Sequence, residues 1–287
     1  MPELPEVEGI RDVLSRHLIG LSVVSVNVVR DDVIKSMKGS VHVPGRSEWK
    51  RSLLVGGTLN DVLRHGKRLA LILDDERVLE FGLGMSGELR FIPEGDEWDQ
   101  QPHEHVSWVL KSPQPRNGGS LIWKDPRRFG GITPVGSLKT LKEHQWAPLG
   151  PDALEISREA FLHRLGAGRG PIKTRLLNQQ VVAGIGNIYA DEALFDSGIH
   201  PSRASNRISA KRLEGLRRSV QRILHEAIRA GGSSIRSYRD PDGRGGSFQN
   251  AHAIYGRQNE PCIRCATPIR SKQLGGRTTV WCPRCQR

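Results

Sequence analysis

Four cysteines stand as Cys262-x2-Cys265 and Cys282-x2-Cys285, with 16 residues between the pairs and none elsewhere in the chain. Thiolates are soft ligands and four of them close a tetrahedron. The spacing therefore predicts one structural Zn2+ with no open position for water. Few apolar residues lie between 256 and 287, so the metal would do there what a core does elsewhere. Cysteines clustered this way also argue for a reducing compartment and against a disulfide framework. At the other end, "MPELPEVEGI" crowds Pro2, Pro5 and three glutamates ahead of an apolar-periodic segment. Glu3 and Glu6, three apart, share one face of a helix. Two carboxylates there can act as acid and base, or can simply complement the positive end of the helix dipole.

These groups must be held by elements that the pattern also shows. Val7, Ile10, Val13, Leu14 and Leu18 fall near a 3.6-residue period, which predicts a helix over 3–18, with Pro2 and Pro5 tolerable at its first turn and Gly20 ending it. From 21 to 135 the runs shorten to "LSVVSVNVV", "RLALILD", "RVLEFGL", "HVSWVL" and "SLIWK", which read as strands of a β-sandwich or barrel. Residues 93–104 read as an exposed loop, and 136–151, with Gly, Pro and charge, as a linker. Helical periodicity then returns. Leu213, Leu216, Val220, Ile223, Leu224, Ala227 and Ile228 form a stripe, with arginines over much of the remaining surface. A shorter helix begins near Asn187. The Gly-rich stretch 239–253 reads as mobile, and "KQLGGRTTVW" as a hairpin with Gly275-Gly276 at its turn and Arg277 just past the tip.

The charge is uneven. Residues 1–150 hold 20 basic and 20 acidic residues, whereas residues 151–287 hold 23 and 11, so the whole excess of +12 lies in the second part. Such asymmetry suits a polyanion, most simply nucleic acid. No apolar run is long enough for a transmembrane helix, and the N-terminus lacks a signal-peptide pattern.

"PELPE" at the start, "VVAGIGNIYADEAL" before the helical stripe and the four-cysteine hairpin at the end, with "RHGKRLALIL", "LGMSGELR" and "DPRRFGG" between them in order, resemble the formamidopyrimidine-DNA glycosylase / endonuclease VIII family of DNA repair enzymes over essentially the whole length. The resemblance implies an α+β multi-domain protein: an N-terminal helix plus β-sandwich (1–135), a linker (136–151), a helix-two-turn-helix domain with a lesion-recognition loop (152–250) and a zinc-finger β-hairpin (251–287). It implies a bifunctional glycosylase and lyase. Once Met1 is removed, the Pro2 amine would attack C1′ of a damaged nucleotide and form a Schiff base. An α-amine has a reference pKa of about 7.7–8 against about 10.4 for lysine, so more of it is unprotonated at neutral pH. By the same resemblance Glu3 is the acid/base group, Glu6 supports it, and Lys67 contacts the lesion and its phosphate from a β-turn. Met85, Arg127 and Phe129 would fill the hole left by the flipped nucleotide. Lys173, Asn187 and Arg277 would bind phosphates; Asn187 could equally be a plain N-cap.

The chain departs from the family pattern at Gly82, where a histidine that helps contact the DNA backbone is common, and at Ser247 and His252, where bulkier residues are common. Leu4 favours the oxidised-purine branch over the endonuclease VIII branch, which more typically has Gly there and prefers oxidised pyrimidines. A non-catalytic, zinc-dependent damaged-DNA-binding protein would share the basic half and the zinc hairpin but not the need for Pro2, Glu3 and Lys67. The expected partner is duplex DNA carrying an oxidised base. The expected setting is a cytoplasmic monomer beside a bacterial nucleoid, with no membrane contact.

Overall fold

The computed structural model describes residues 2–38, 40, 43–112, 118–235 and 238–287. The chain divides into two compact units, each with its own core: Met1–Pro2, Glu6–Pro148 and Ser233–Gly246 make the first, and Glu3–Pro5, Leu149–Gly232 and Ser247–Arg287 the second.

In the first unit the apolar positions Val7, Ile10, Leu14 and Leu18 of helix α1 (Leu4–Leu18) are all buried, as their period predicts. Strand β1 (Ser22–Val28) and a short helix α2 (Trp49–Ser52) follow. Then come β2 (Leu59–His65), β3 (Arg68–Leu73), β4 (Val78–Gly82), β5 (Glu88–Pro93), β6 (Glu104–Lys111), β7 (Gly119–Lys124) and β8 (Gly131–Val135). They form two antiparallel four-stranded sheets, ordered β1-β6-β7-β5 and β2-β3-β4-β8. Register decides which side chains face the core. Leu69 lies opposite Phe81, and Phe81 opposite Ile132, and all three are buried in one cluster with Leu89, Trp108, Leu121 and Trp123 of the other sheet.

Two expected boundaries are corrected. The segment read as a linker is helical: α3 (Leu138–Thr140) runs into a π-helical turn over Leu141–Trp146, with Leu141, Gln145 and Trp146 buried. Its Gly, Pro and charge conceal one large amphipathic side chain. Trp146 Nε1 donates to the buried Glu80 carboxylate at 2.9 Å, and its ring stacks on His65. The stretch 233–246, assigned to the helical domain, belongs to the first unit instead. The Ser233 amide donates to Glu6 Oε1 at 2.7 Å, the Tyr238 hydroxyl donates to the Glu6 carbonyl at 3.1 Å, His17 meets Asp242 at 2.7 Å, and the Phe91 amide donates to the Pro241 carbonyl at 3.0 Å. The stretch read as mobile is thus fastened to α1 and β5 over its first half.

The second unit holds α4 (Arg158–Gly166), α5 (Ile172–Leu177), α6 (Asn187–Asp196), α7 (Ala210–Arg229) and the hairpin β9 (Arg270–Leu274) and β10 (Arg277–Trp281). A turn over 179–181 and bends at 182 and 184 join α5 to α6 in the expected helical domain. Ser209 caps α7, its hydroxyl accepting from the Arg212 amide. The α7 stripe from Leu213 to Ala227 is buried against α4 and α6. Eight of the ten α6 residues are buried, which is why it shows no polar face in sequence. Among the described residues no helix is long and apolar enough to cross a membrane.

Candidate active site

Pro2 is buried and immediately precedes Glu3 and α1. Glu3 is 2 % exposed, and its carboxylate serves a helix other than its own. The Ile188 amide donates to Oε1 at 3.0 Å and the Tyr189 amide to Oε2 at 3.5 Å, so Glu3 caps the N-terminus of α6. Gly186 makes this possible, since a Cβ there would collide with the Glu3 carboxyl group. The Leu4 amide donates to the Gly184 carbonyl at 3.1 Å and fixes the approach. Asn187 is therefore not the N-cap: Gly186 is, and Asn187 Nδ2 donates to the Thr278 carbonyl on β10 at 3.0 Å. The Glu6 carboxylate accepts from the Ser233 amide.

Lys173 corrects the phosphate expectation more sharply. Its side chain is fully buried, and its ammonium is engaged by Asp191 at 2.8 Å, Thr279 Oγ1 at 2.9 Å and the Thr278 carbonyl at 3.1 Å. Two hydrogen bonds, to Thr279 and Thr278, and one ion pair, to Asp191, thus engage the ammonium. Burial pulls the Lys173 pKa down and pushes the Asp191 carboxyl up to about 7, while the ion pair opposes both shifts. Lys173 thus ties α5 and α6 to the backbone of β10, the strand whose exposed first residue is Arg277. Asp191→Asn would leave this ammonium buried without its anion. It is expected to cost about 3–5 kcal/mol of unfolding free energy in a urea titration; a loss below ~1 kcal/mol would show that the pair contributes little.

Four sulfurs lie within 4.8 Å of one another, with Cys262–Cys285 at 3.9 Å and Cys265–Cys282 at 3.5 Å. A tetrahedron with Zn–S bonds of about 2.3 Å has edges of about 3.8 Å, so the four thiolates fit one structural zinc. The small cluster around them holds Phe195, Ile254, Ile269 and Val280. Glu192, which sequence reasoning missed, anchors the approach to this module: its buried carboxylate accepts from the amides of Ala253, Ile254 and Tyr255 at 3.0, 3.0 and 2.8 Å. Two adjacent carboxylates, Asp191 and Glu192, inside the otherwise apolar "IYADEAL" were the available signal.

In the first unit, Lys67 is the second residue of the two-residue turn between β2 and β3. Gly66 precedes it with φ 58°, at the position where tight hairpin turns favour glycine. Met85 is 36 % and Phe129 63 % exposed, so neither is a core residue. The Arg127 guanidinium lies 4.6 Å from the Phe129 ring centroid. The two loops that carry them are clamped together by residues sequence reasoning passed over. Ser86 Oγ donates to Asp125 Oδ1 at 2.6 Å and accepts from the Arg127 amide at 3.2 Å, and the Gly130 amide donates to Asp125 Oδ2 at 2.8 Å. Both lie inside the quoted motifs "LGMSG" and "DPRRF". In the second unit, Ser247 Oγ donates to the Ala230 carbonyl at 3.2 Å. His252 packs against Phe248 and Tyr255, and burial pushes its pKa down to about 4, leaving it neutral near pH 7.

Three family models match the chain: the formamidopyrimidine-DNA glycosylase N-terminal domain over 1–132, the formamidopyrimidine-DNA glycosylase H2TH domain over 149–239, and a zinc finger found in FPG and IleRS over 259–287. The formamidopyrimidine-DNA glycosylase of Xanthomonas oryzae pv. oryzae (strain PXO99A) is 39% identical, with both chains covered in full. The crystal structure of the MutM (Fpg) protein of Thermus thermophilus matches with a TM-score of 0.83 at 34% identity, covering 99% of this chain and 98% of that one. Wild-type Lactococcus lactis Fpg, solved with DNA containing N7-benzyl-Fapy-dG, matches with a TM-score of 0.86 at 31% identity, both chains covered in full.

Proposed function

The chain belongs to the formamidopyrimidine-DNA glycosylase family, and from that premise we propose that it excises oxidised purines from duplex DNA through the amine of Pro2. A glycosylase with AP-lyase activity in base excision repair is what this family membership gives the chain. The proposed steps assign its residues. The Pro2 nitrogen, freed by removal of Met1, forms a bond to C1′. The glycosidic bond breaks and its electron pair leaves with the base. Glu3 protonates the sugar ring oxygen as the ring opens, which yields an iminium between C1′ and Pro2. The iminium acidifies the neighbouring sugar carbon. Loss of a proton there expels the 3′ phosphate and a further elimination expels the 5′ phosphate. Water then releases Pro2, leaving a one-nucleotide gap.

The observation that carries this reading is Glu3. A carboxylate 2 % exposed and fixed by two helix amides, one residue from a proline, suits an acid/base group that must not swing away during turnover. Exposed Met85, Arg127 and Phe129 support insertion into a stack opened by base flipping. Lys67 on its turn and Arg277 and Asn187 beside β10 support phosphate contacts. The preference for oxidised purines is supported by Leu4 and by the Fapy-dG DNA in the Lactococcus lactis relative. The same reading has it act as a single chain on nucleoid DNA in the cytoplasm.

Borohydride trapping on duplexes carrying 8-oxoguanine opposite cytosine, with peptide mass mapping, tests it. A covalent adduct on Pro2 is expected. An adduct formed only on a thymine-glycol duplex would move the chain to oxidised pyrimidines. No adduct on either duplex, despite tight salt-sensitive binding, would leave a damaged-DNA-binding protein.

A further inference from the structure

Two adjacent positions in one row of the second sheet lack side chains and are overlaid by cations. Arg68 on β3 lies opposite Gly82 on β4, and Gly82 opposite Gly131 on β8. Directly paired residues point to the same face, here the face away from the core that takes Leu69, Phe81 and Ile132. The Arg68 guanidinium folds across Gly82 so closely that a Cβ there would collide with Nη1 and would lie 3.3 Å from Cζ. Over Gly131 the Lys35 side chain does the same, with Cγ 2.6 Å from where a Cβ would be. Two neighbouring glycines thus form a floor on which two cationic side chains lie.

Arg68 stands out by what it does not meet. It is half-buried, yet among the described residues no carboxylate or carbonyl accepts from its guanidinium, and none of its nitrogens is sealed from solvent without a partner. Lys35, by contrast, donates to the Asp32 carbonyl at 2.6 Å. A guanidinium offers a planar fork of donors that matches the oxygens of a phosphate. Its chain neighbours are the right ones for DNA: Lys67 precedes it on the β2–β3 turn, and Gly82 runs three residues on into Met85. We infer that Arg68 grips a phosphodiester of the DNA backbone, and that glycine at 82 is what lets its guanidinium lie there. The inference rests on the glycosylase reading above for its ligand. It also gives the departure at Gly82 a physical content: the side chain missing from β4 makes room for a cation from β3.

The test is the salt dependence of binding to a duplex carrying a tetrahydrofuran abasic-site analogue, where no chemistry follows. Each phosphate contact contributes about 0.9 to the slope of log Kd against log[KCl]. Arg68→Gln should lower the slope by about that amount and raise Kd about tenfold near 0.1 M salt. Arg68→Lys should keep most of the slope. Gly82→Val, which puts a side chain where the guanidinium lies, should follow Arg68→Gln. Arg16→Gln, a surface change on α1, should alter neither quantity. An Arg68→Gln slope equal to the parent's overturns the inference, whatever Kd does, because a packing role would not touch the slope. If Arg68→Gln loses its near-UV circular dichroism, Gly82→Val decides by the same criterion. A parent protein with no salt-dependent DNA binding would instead defeat the glycosylase reading itself.

Discussion

Glu3→Gln should slow base release by about 10²–10⁴-fold while leaving the unfolding midpoint within a few degrees of the parent. The amide keeps a carbonyl oxygen where Oε1 now accepts from Ile188, so the cap on α6 survives. What it loses is the proton that a carboxyl group can give and retake. Glu3→Ala should be equally inactive and, in addition, less stable by about 1–2 kcal/mol, because the α6 amides are left without their acceptor. The pair separates chemistry from capping. Single-turnover base release and thermal melting on both variants would show it; a Glu3→Gln protein that excises at the parent's rate would leave the carboxylate as a cap alone. Gly186→Ala should resemble Glu3→Ala, since its methyl group displaces the same carboxylate from the opposite side.

Removing zinc should have a comparably large effect on DNA binding without touching the proposed nucleophile. Structural zinc in small modules contributes about 10–16 kcal/mol of apparent binding free energy, and the cluster here offers little else to keep the hairpin folded. Without it, β10 loses its register against β9, and the Thr278 carbonyl no longer holds Lys173 and Asn187. Chelation, or Cys282→Ser, is expected to weaken binding of an abasic-analogue duplex at least a hundredfold. It should also erase hydrogen-exchange protection over 270–281 while amides of α1 stay protected. Re-adding zinc should restore the chelated protein but not the variant. Unchanged affinity after verified zinc loss would mean that the hairpin makes no contact with DNA.

The features legible in sequence are those whose geometry is set by short covalent spacing. Two Cys-x2-Cys pairs, Gly275-Gly276 at a hairpin tip and the α7 stripe each carry their placement within a few residues. Three strands are hidden for local reasons: "LNDVLRH" interleaves charge with its two buried side chains, "GITPV" contains both Gly and Pro, and "ELRFIP" ends in proline. The fate of Lys173 is hidden because its partners lie far along the chain, Asp191 on another helix and Thr278 and Thr279 on the hairpin. The resemblance alone marks Lys173 as a phosphate ligand, and nothing near it in the chain shows the acid that neutralises it. Trp146 is concealed for the opposite reason: its polar neighbours obscure a ring that Glu80 and His65 bury.

The chain changes unit at 2/3, 5/6, 148/149, 232/233 and 246/247, so the boundaries of the two units do not follow the boundaries of the three matched modules. A gene cut at codon 148 would encode a first half without the strip that packs on α1 and β5, and a second half without the residues that cap α6. Neither product would be a finished body. Recombination between relatives would be confined to exchanges that carry the first few codons together with those of the helical region, so that the start of the reading frame and its middle are inherited as one piece.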